Sequence, residues 1–289
     1  MTKIAVMGSL HYDILLDADH RPEKGETVMG TDCRYAFGGK GGNQALALAK
    51  AGAEVMFAGA VGNDAPGHYL REVLRAAKVD TRYIQTIDNV ASGMSVAITD
   101  AEGDYGAVVV SNANQHIAPE MFDAAPFWHG VSLLVLQNEV PEAINLHAAT
   151  CAKQQSVQVC LNAAPARPLS AALTALIDVL VVNAIEARDM SDVAVNDLAT
   201  AARAAQVLSA HFPRVVVTAG EHGVAFCETG HPCQTLAAQK VVLISTHGAG
   251  DCFTGTLCAA LARQEAFSDA VIAANAAAAQ HVSQRPGSH

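Results

Sequence analysis

The sequence predicts an α/β protein built on a mostly parallel central sheet with helices on both faces. Short, continuously apolar runs alternate with helix-length stretches along the 289-residue chain, as buried parallel strands joined by crossover helices require. Hydrophobic residues make up 51% of the chain and aromatic residues 5%. A sizeable core is therefore available, and Ala, Val and Leu must form it. Glycine-rich segments also sit where helices begin, and in α/β sheets such points present ligands.

Ile4–Met7 is the first strand. Tyr12–Phe37 breaks the alternation and reads as paired short strands without a helix. A glycine-rich segment then opens the helix Ala45–Ala51. Val55–Ala58 is a strand and Asp64–Ala77 a helix. Ser92–Ser111 is a second interruption, in which Gly93–Thr99 partly alternates and Gly103 marks a turn. Strands Val131–Leu136, Val157–Leu161, Val179–Val182 and Val215–Thr218 restore the rhythm, with helices at Glu142–Gln154 and Asp197–Ala210. The β-rich run Val241–Ile244 leads into a helix from about Cys252 to Arg263, and Ala273–Ala279 is helical. No linker or internal repeat divides the chain, so residues 1–289 are read as one domain.

Lys plus Arg number 18 against 28 Asp plus Glu, a formal charge of −10. That argues against a nucleic-acid or anionic-membrane surface. The seven cysteines are scattered without a C-x-x-C pair and read as reduced, mostly buried thiols of a cytoplasmic protein. Cys227, His231 and Cys233 match no common metal spacing. The strand beginning near Thr2 leaves no visible signal peptide, and no apolar run spans a bilayer.

The most informative segment is Ser245-Thr246-His247-Gly248-Ala249-Gly250-Asp251. Gly248 and Gly250 admit a ligand close to the backbone. The helix that follows points free N–H groups and a positive dipole end at that ligand, which favours an anion. A carboxylate beside a phosphate is repulsive unless it takes a proton from the attacking hydroxyl. The same residues also read as an ordinary strand-to-helix turn with Asp251 as a first-turn acid. Phe37-Gly38-Gly39-Lys40-Gly41-Gly42-Asn43-Gln44 strips side chains from a second loop. It is not a P-loop, since no Ser or Thr follows Lys40, and Gly8-Ser9-Leu10-His11-Tyr12-Asp13 lacks the dinucleotide fingerprint.

Together these segments resemble the ribokinase-like (PfkB) family of carbohydrate and nucleoside kinases. Gly8-Ser9 with Asp13 resembles the opening substrate motif. Gly38–Asn43 resembles the first signature and Gly248–Asp251 the second. Asn162-Ala163-Ala164-Pro165-Ala166-Arg167, Asn183-Ala184-Ile185-Glu186 and Thr218-Ala219-Gly220-Glu221-His222-Gly223 follow in the family's order.

The resemblance implies a three-layer sandwich with a small β-sheet lid from about residues 12–37 and 92–111. It also implies ATP-dependent phosphorylation of ribose or a similar pentose. Asp251 would be the general base, with Gly248, Ala249 and Gly250 completing the anion hole. His11, Asp13, Gly38, Gly39, Asn43 and Glu139 would bind the sugar. Asn183, Thr218, Gly220, Gly223 and Asn275 would bind the nucleotide, and Glu186 would serve the Mg²⁺ shell. Asn183 and Glu186 equally read as a capping box. A homodimer through the lid is implied too.

A nucleoside kinase, or a sugar-binding sensor without catalysis, is the alternative. The chain departs from the family pattern at His11, where ribokinases carry Asn, and at Ser245, where many carry Asp, which puts K⁺ activation in doubt. His247 is unusual and reads as a solvent-facing turn residue. Relatives continue for a short segment beyond Gln284–His289.

Overall fold

The computed structural model describes residues 3–102 and 104–284. The elements run β1 (Lys3–Met7), β2 (His11–Ala18), β3 (Gly30–Gly38), α1 (Lys40–Lys50), β4 (Glu54–Gly62), α2 (Ala65–Ala76) and β5 (Asp80–Ile87). Next come β6 (Met94–Thr99), β7 (Tyr105–Val110), β8 (Val131–Gln137), α3 (Glu142–Gln154), β9 (Gln158–Asn162) and α4 (Ala171–Thr174). The rest is β10 (Val179–Asn183), α5 (Ala184–Ser191), α6 (Leu198–Leu208), β11 (Arg214–Thr218), β12 (Gly223–Glu228), β13 (Gln234–Ala237), α7 (Ala249–Ala262) and α8 (Phe267–Val282).

Nine strands form one sheet in the order β13-β12-β11-β10-β9-β8-β1-β4-β5. It is parallel from β11 to β5 and antiparallel at β12 and β13. Strand periodicity divides the core between the two faces. Ala5 and Met7 join the cluster on one side, Ile4 and Val6 that on the other. The two interruptions build a separate four-stranded sheet, β3-β2-β6-β7. Gly103, expected at its turn, lies outside the described residues, as does the tail from Arg285.

Polar side chains set the helix starts. Asp64 accepts from Gly67 N–H at 2.8 Å and opens α2. Asp197 and Thr200 form a capping box at α6, each such cap contributing about 1 kcal/mol. Helix α1 begins at Lys40, so Gly41 and Gly42 are its first turn rather than part of a loop.

Two expectations need correction. Val241–Ile244 joins neither sheet. The Ile244 and Ser245 amides donate to Val282 O at the end of α8, and the run's side chains are exposed. A β-rich run becomes a strand only where an edge receives it. The cysteines are not all free either. Cys227 of β12 and Cys233, just before β13, have Cα atoms 4.3 Å apart and form a disulfide, while Cys33, Cys151, Cys160, Cys252 and Cys258 are free thiols. Among the described residues no helix is long and apolar enough to cross a membrane.

Candidate active site

The strands β1, β8, β9, β10 and β11 release the chain at one edge of the large sheet, and the signature residues gather there. Gly248, with φ +74°, is the left-handed residue before α7. Behind it Gly255 lets α7 approach α1. A Cβ at Gly255 would stand 2.5 Å from the Ala47 Cβ. This close packing brings the start of α1 onto Asp251.

Asp251 is buried. Gln44 Nε2 donates to its Oδ1 at 3.0 Å, and Asn43 Nδ2 approaches Oδ2 at 3.4 Å. Gln44 also donates to Asn162 Oδ1 at 3.0 Å and accepts from Gln137 Nε2 at 2.8 Å. A chain of amides from three elements thus fixes the carboxylate. Burial pushes its pKa above the usual carboxylate range, opposed chiefly by the Lys40 charge and the Gln44 hydrogen bond. Such a group accepts a proton more readily than an exposed aspartate does.

The helix start differs in detail from expectation. The Ala249 amide donates to Thr246 O at 3.2 Å and so is committed to the turn. Among the described residues the Gly250 and Asp251 amides meet no acceptor. A Cβ at Gly250 would meet no heavy atom within 4 Å. Gly250 thus leaves open space before the helix start and holds no left-handed backbone angle.

On the other flank, Glu139 Oε2 accepts from the Ser9 hydroxyl and from Lys40 N–H, the latter at 2.8 Å. Asp13 accepts from Ser95 Oγ at 2.6 Å. Burial raises its pKa, against the Ser95 bond and the charges of His11 and His247. His247 is exposed, as expected of a turn residue, yet it acts electrostatically on this carboxylate. Gly38 is required because a Cβ there would run into the Asp13 carboxylate. Gly39, at φ +89°, lies so close to Ser9, Leu10 and His11 that no side chain fits.

His11 is 3% exposed, not on an outer surface. Its Nδ1 is 4.0 Å from Glu139 Oε2, and its Nε2 is buried without a partner among the described residues. Asn114 holds the preceding backbone by two bonds to Leu10 at 2.9 Å.

Further along the strand ends, Asn183 and Glu186 form the capping box that competed with a ligand role. Asn183 Oδ1 accepts from the Ile185 and Glu186 amides, and Glu186 accepts from Asn183 N and Nδ2. Glu186 is buried and its pKa is raised by that burial, with Lys40 opposing. The half-buried Lys40 thus sets its charge against the burial cost of both Asp251 and Glu186. Thr218 Oγ1 donates to Val182 O at 3.4 Å. Gly220 and Gly223 turn the chain from β11 to β12 at φ +57° and +117°. Asn275 donates to Ala237 O at 3.2 Å, tying α8 to the sheet edge.

Gln44, Gln137, Asn114 and Ser95 join the site without a sequence signature of their own; only Gln44 follows directly on the glycine-rich segment, next to Asn43.

The site thus gathers three carboxylates, Asp13, Glu139 and the buried Asp251, with the start of α7, where among the described residues the Gly250 and Asp251 amides meet no acceptor. The pfkB family carbohydrate kinase model matches residues 1–288. A ribokinase of Haemophilus influenzae is 32% identical over 229 residues, 78% of this chain and 75% of that protein. A deoxyribokinase of Salmonella typhi is 30% identical over 223 residues, 76% and 73% of the two chains. The structure of Arabidopsis thaliana ribokinase complexed with ribose and ATP superposes with a TM-score of 0.91 at 25% identity, covering 99% of this chain and 94% of that one.

Proposed function

The chain belongs to the pfkB family of carbohydrate kinases, and from that membership we propose that it transfers the terminal phosphoryl group of ATP to a hydroxyl of ribose or a similar pentose. The observation that carries this reading is Asp251: a buried carboxylate at a helix start, held by Gln44 and Asn43 beside two amides that meet no acceptor among the described residues. The hydroxyl's proton passes to Asp251 as its oxygen bonds to phosphorus, and ADP leaves with the electrons of the broken P–O bond. The Gly250 and Asp251 amides stabilise the charge on the transferring group, which is the main demand of phosphoryl transfer.

The ribokinase and deoxyribokinase relatives support a pentose acceptor. Asp13, Asn43 and Glu139 are assigned to its hydroxyls, with Gly38 and Gly39 giving it access. A buried carboxylate that expects two hydroxyls selects strongly against sugars lacking them. Thr218, Gly220, Gly223 and Asn275 are assigned to the nucleotide. Each Glu186 oxygen receives one hydrogen bond in the cap, which leaves lone pairs for the waters of an Mg²⁺ ion, the counter-ion that ATP brings. In Ser245 a hydroxyl replaces the carboxylate of a monovalent-cation site, and its Oγ accepts from His247 N at 3.2 Å. K⁺ is accordingly given no part in the step. Tyr35, Val108 and Val109 are exposed on the small sheet and Met29 just before it, which supports a homodimer formed there.

A nucleoside acceptor is the second reading, because the His11 imidazole offers a donor and acceptor pair similar to that of asparagine in a larger volume, and so alters the shape of the acceptor site. The test is ADP release over pentoses, hexoses and nucleosides with the parent protein and His11→Asn. A pentose should give the highest kcat/KM, and His11→Asn should shift the ratio between ribose and the other acceptors by about 10-fold or more. A panel without pentose turnover would overturn the assignment. An unchanged ratio would remove His11 from the acceptor site.

A further inference from the structure

Away from the signature residues, three metal-ligating side chains converge between α3 and the 3₁₀ turn Pro119–Asp123. His147 and Cys151 lie four residues apart on α3 and so share one face. Asp123 ends the facing turn. His147 Nε2 is 2.8 Å from Asp123 Oδ1, and Cys151 Sγ is 3.6 Å from the same oxygen. The three ligand atoms all lie within 4.8 Å of one another.

Both supports are rigid. Ala148, Ala149 and Ala152 anchor the inner face of α3. The turn is fixed by Phe122, whose ring packs edge-on to Phe127 at 5.1 Å and whose carbonyl accepts from Trp128 Nε1 at 2.7 Å. Cys151 is buried, His147 half-buried and Asp123 exposed, so the cluster is closed beneath and open to water above.

We propose that Asp123, His147 and Cys151 form a binding site for a borderline divalent cation of the Zn²⁺ type. One sulfur, one imidazole nitrogen and one carboxylate oxygen make a ligand set suited to Zn²⁺, and a water completes four-coordination. The hard ions Mg²⁺ and Ca²⁺ are excluded by the thiol and the low oxygen count. Thiolate and carboxylate together balance the ion's charge, and the thiol proton is released to solvent on binding. The ion would cross-link α3 to the Pro119–Asp123 turn. None of the three residues belongs to the phosphoryl-transfer site, so the site stands whatever the acceptor sugar is.

Co²⁺, which reports thiolate ligation optically, is titrated into the metal-free full chain, followed by Zn²⁺. One equivalent of Co²⁺ should bring a near-ultraviolet thiolate charge-transfer band and visible bands of four-coordinate geometry, all displaced by Zn²⁺. Cys151→Ser should remove the charge-transfer band, and His147→Gln should weaken Co²⁺ binding by about 10-fold or more. Zn²⁺ at a hundredfold excess over its Kd should raise the melting temperature by about 5 °C, with kinase turnover in Mg²⁺ and without Zn²⁺ or Co²⁺ equal in parent and variants. Should Cys151→Ser fold poorly, the half-buried His147→Gln decides the matter. No thiolate band, or a band of equal strength in His147→Gln, would overturn the proposal, since the ion would then lie at another thiol or nowhere.

Discussion

Replacing Asp251 by asparagine is expected to lower kcat by about 10²–10⁴-fold, the range for a lost general base, with little change in sugar affinity. The same substitution should leave the melting temperature near pH 7 unchanged or higher. Burial raises the Asp251 pKa, so the folded state binds this proton more tightly than the unfolded chain does. Ionisation therefore costs stability at pH values above the folded pKa, and that cost disappears as pH falls below it. Asparagine keeps the acceptor oxygen for Gln44 and removes the charge. A loss of activity with retained stability separates a proton acceptor from a structural acid, whose loss would lower both. Near-normal turnover in the folded variant would contradict the role of Asp251.

Gly250→Val should abolish detectable ADP formation in a folded protein. The first β-carbon would stand in open space, so the fold tolerates it, and no left-handed backbone angle is violated. The branched side chain would instead cover the helix start and shield its two free amides. Loss of a single such donor costs about 10²–10³-fold, and a side chain in that open space would displace the phosphate itself. Melting and ADP release on one sample check this. Full activity would mean that the helix start does not hold phosphate.

The sequence revealed the large sheet through its apolar runs, because strands buried on both faces carry no polar interruption. Helix α3 begins and ends where its pattern predicts. Strands β5, β12 and β13 are not legible in this way: DTRYIQTI and QTLA mix polar residues into short runs, and GVAFCE follows directly on a glycine turn. Val241–Ile244 has the composition of a strand but not the neighbour, which only tertiary structure supplies.

The same division holds in the site. Asp251, Gly38 and Gly248 carry local signatures. Gln44, Gln137, Asn114 and Ser95 act across separations of 207, 93, 104 and 82 residues, which no local spacing encodes. Asn183 and Glu186 show the converse: a local rule anticipates their cap, and the same geometry buries a carboxylate that the Lys40 charge still reaches.

The central claim is that Asp251 accepts the acceptor's proton from a buried position. The direct test is the pH dependence of kcat at saturating pentose and ATP, for the parent and for the residual activity of Asp251→Asn. An acid limb above the ordinary aspartate value of about 3.9, present in the parent and missing from the variant, is the predicted result. A limb at or below that value, or one retained unchanged in Asp251→Asn, would contradict it.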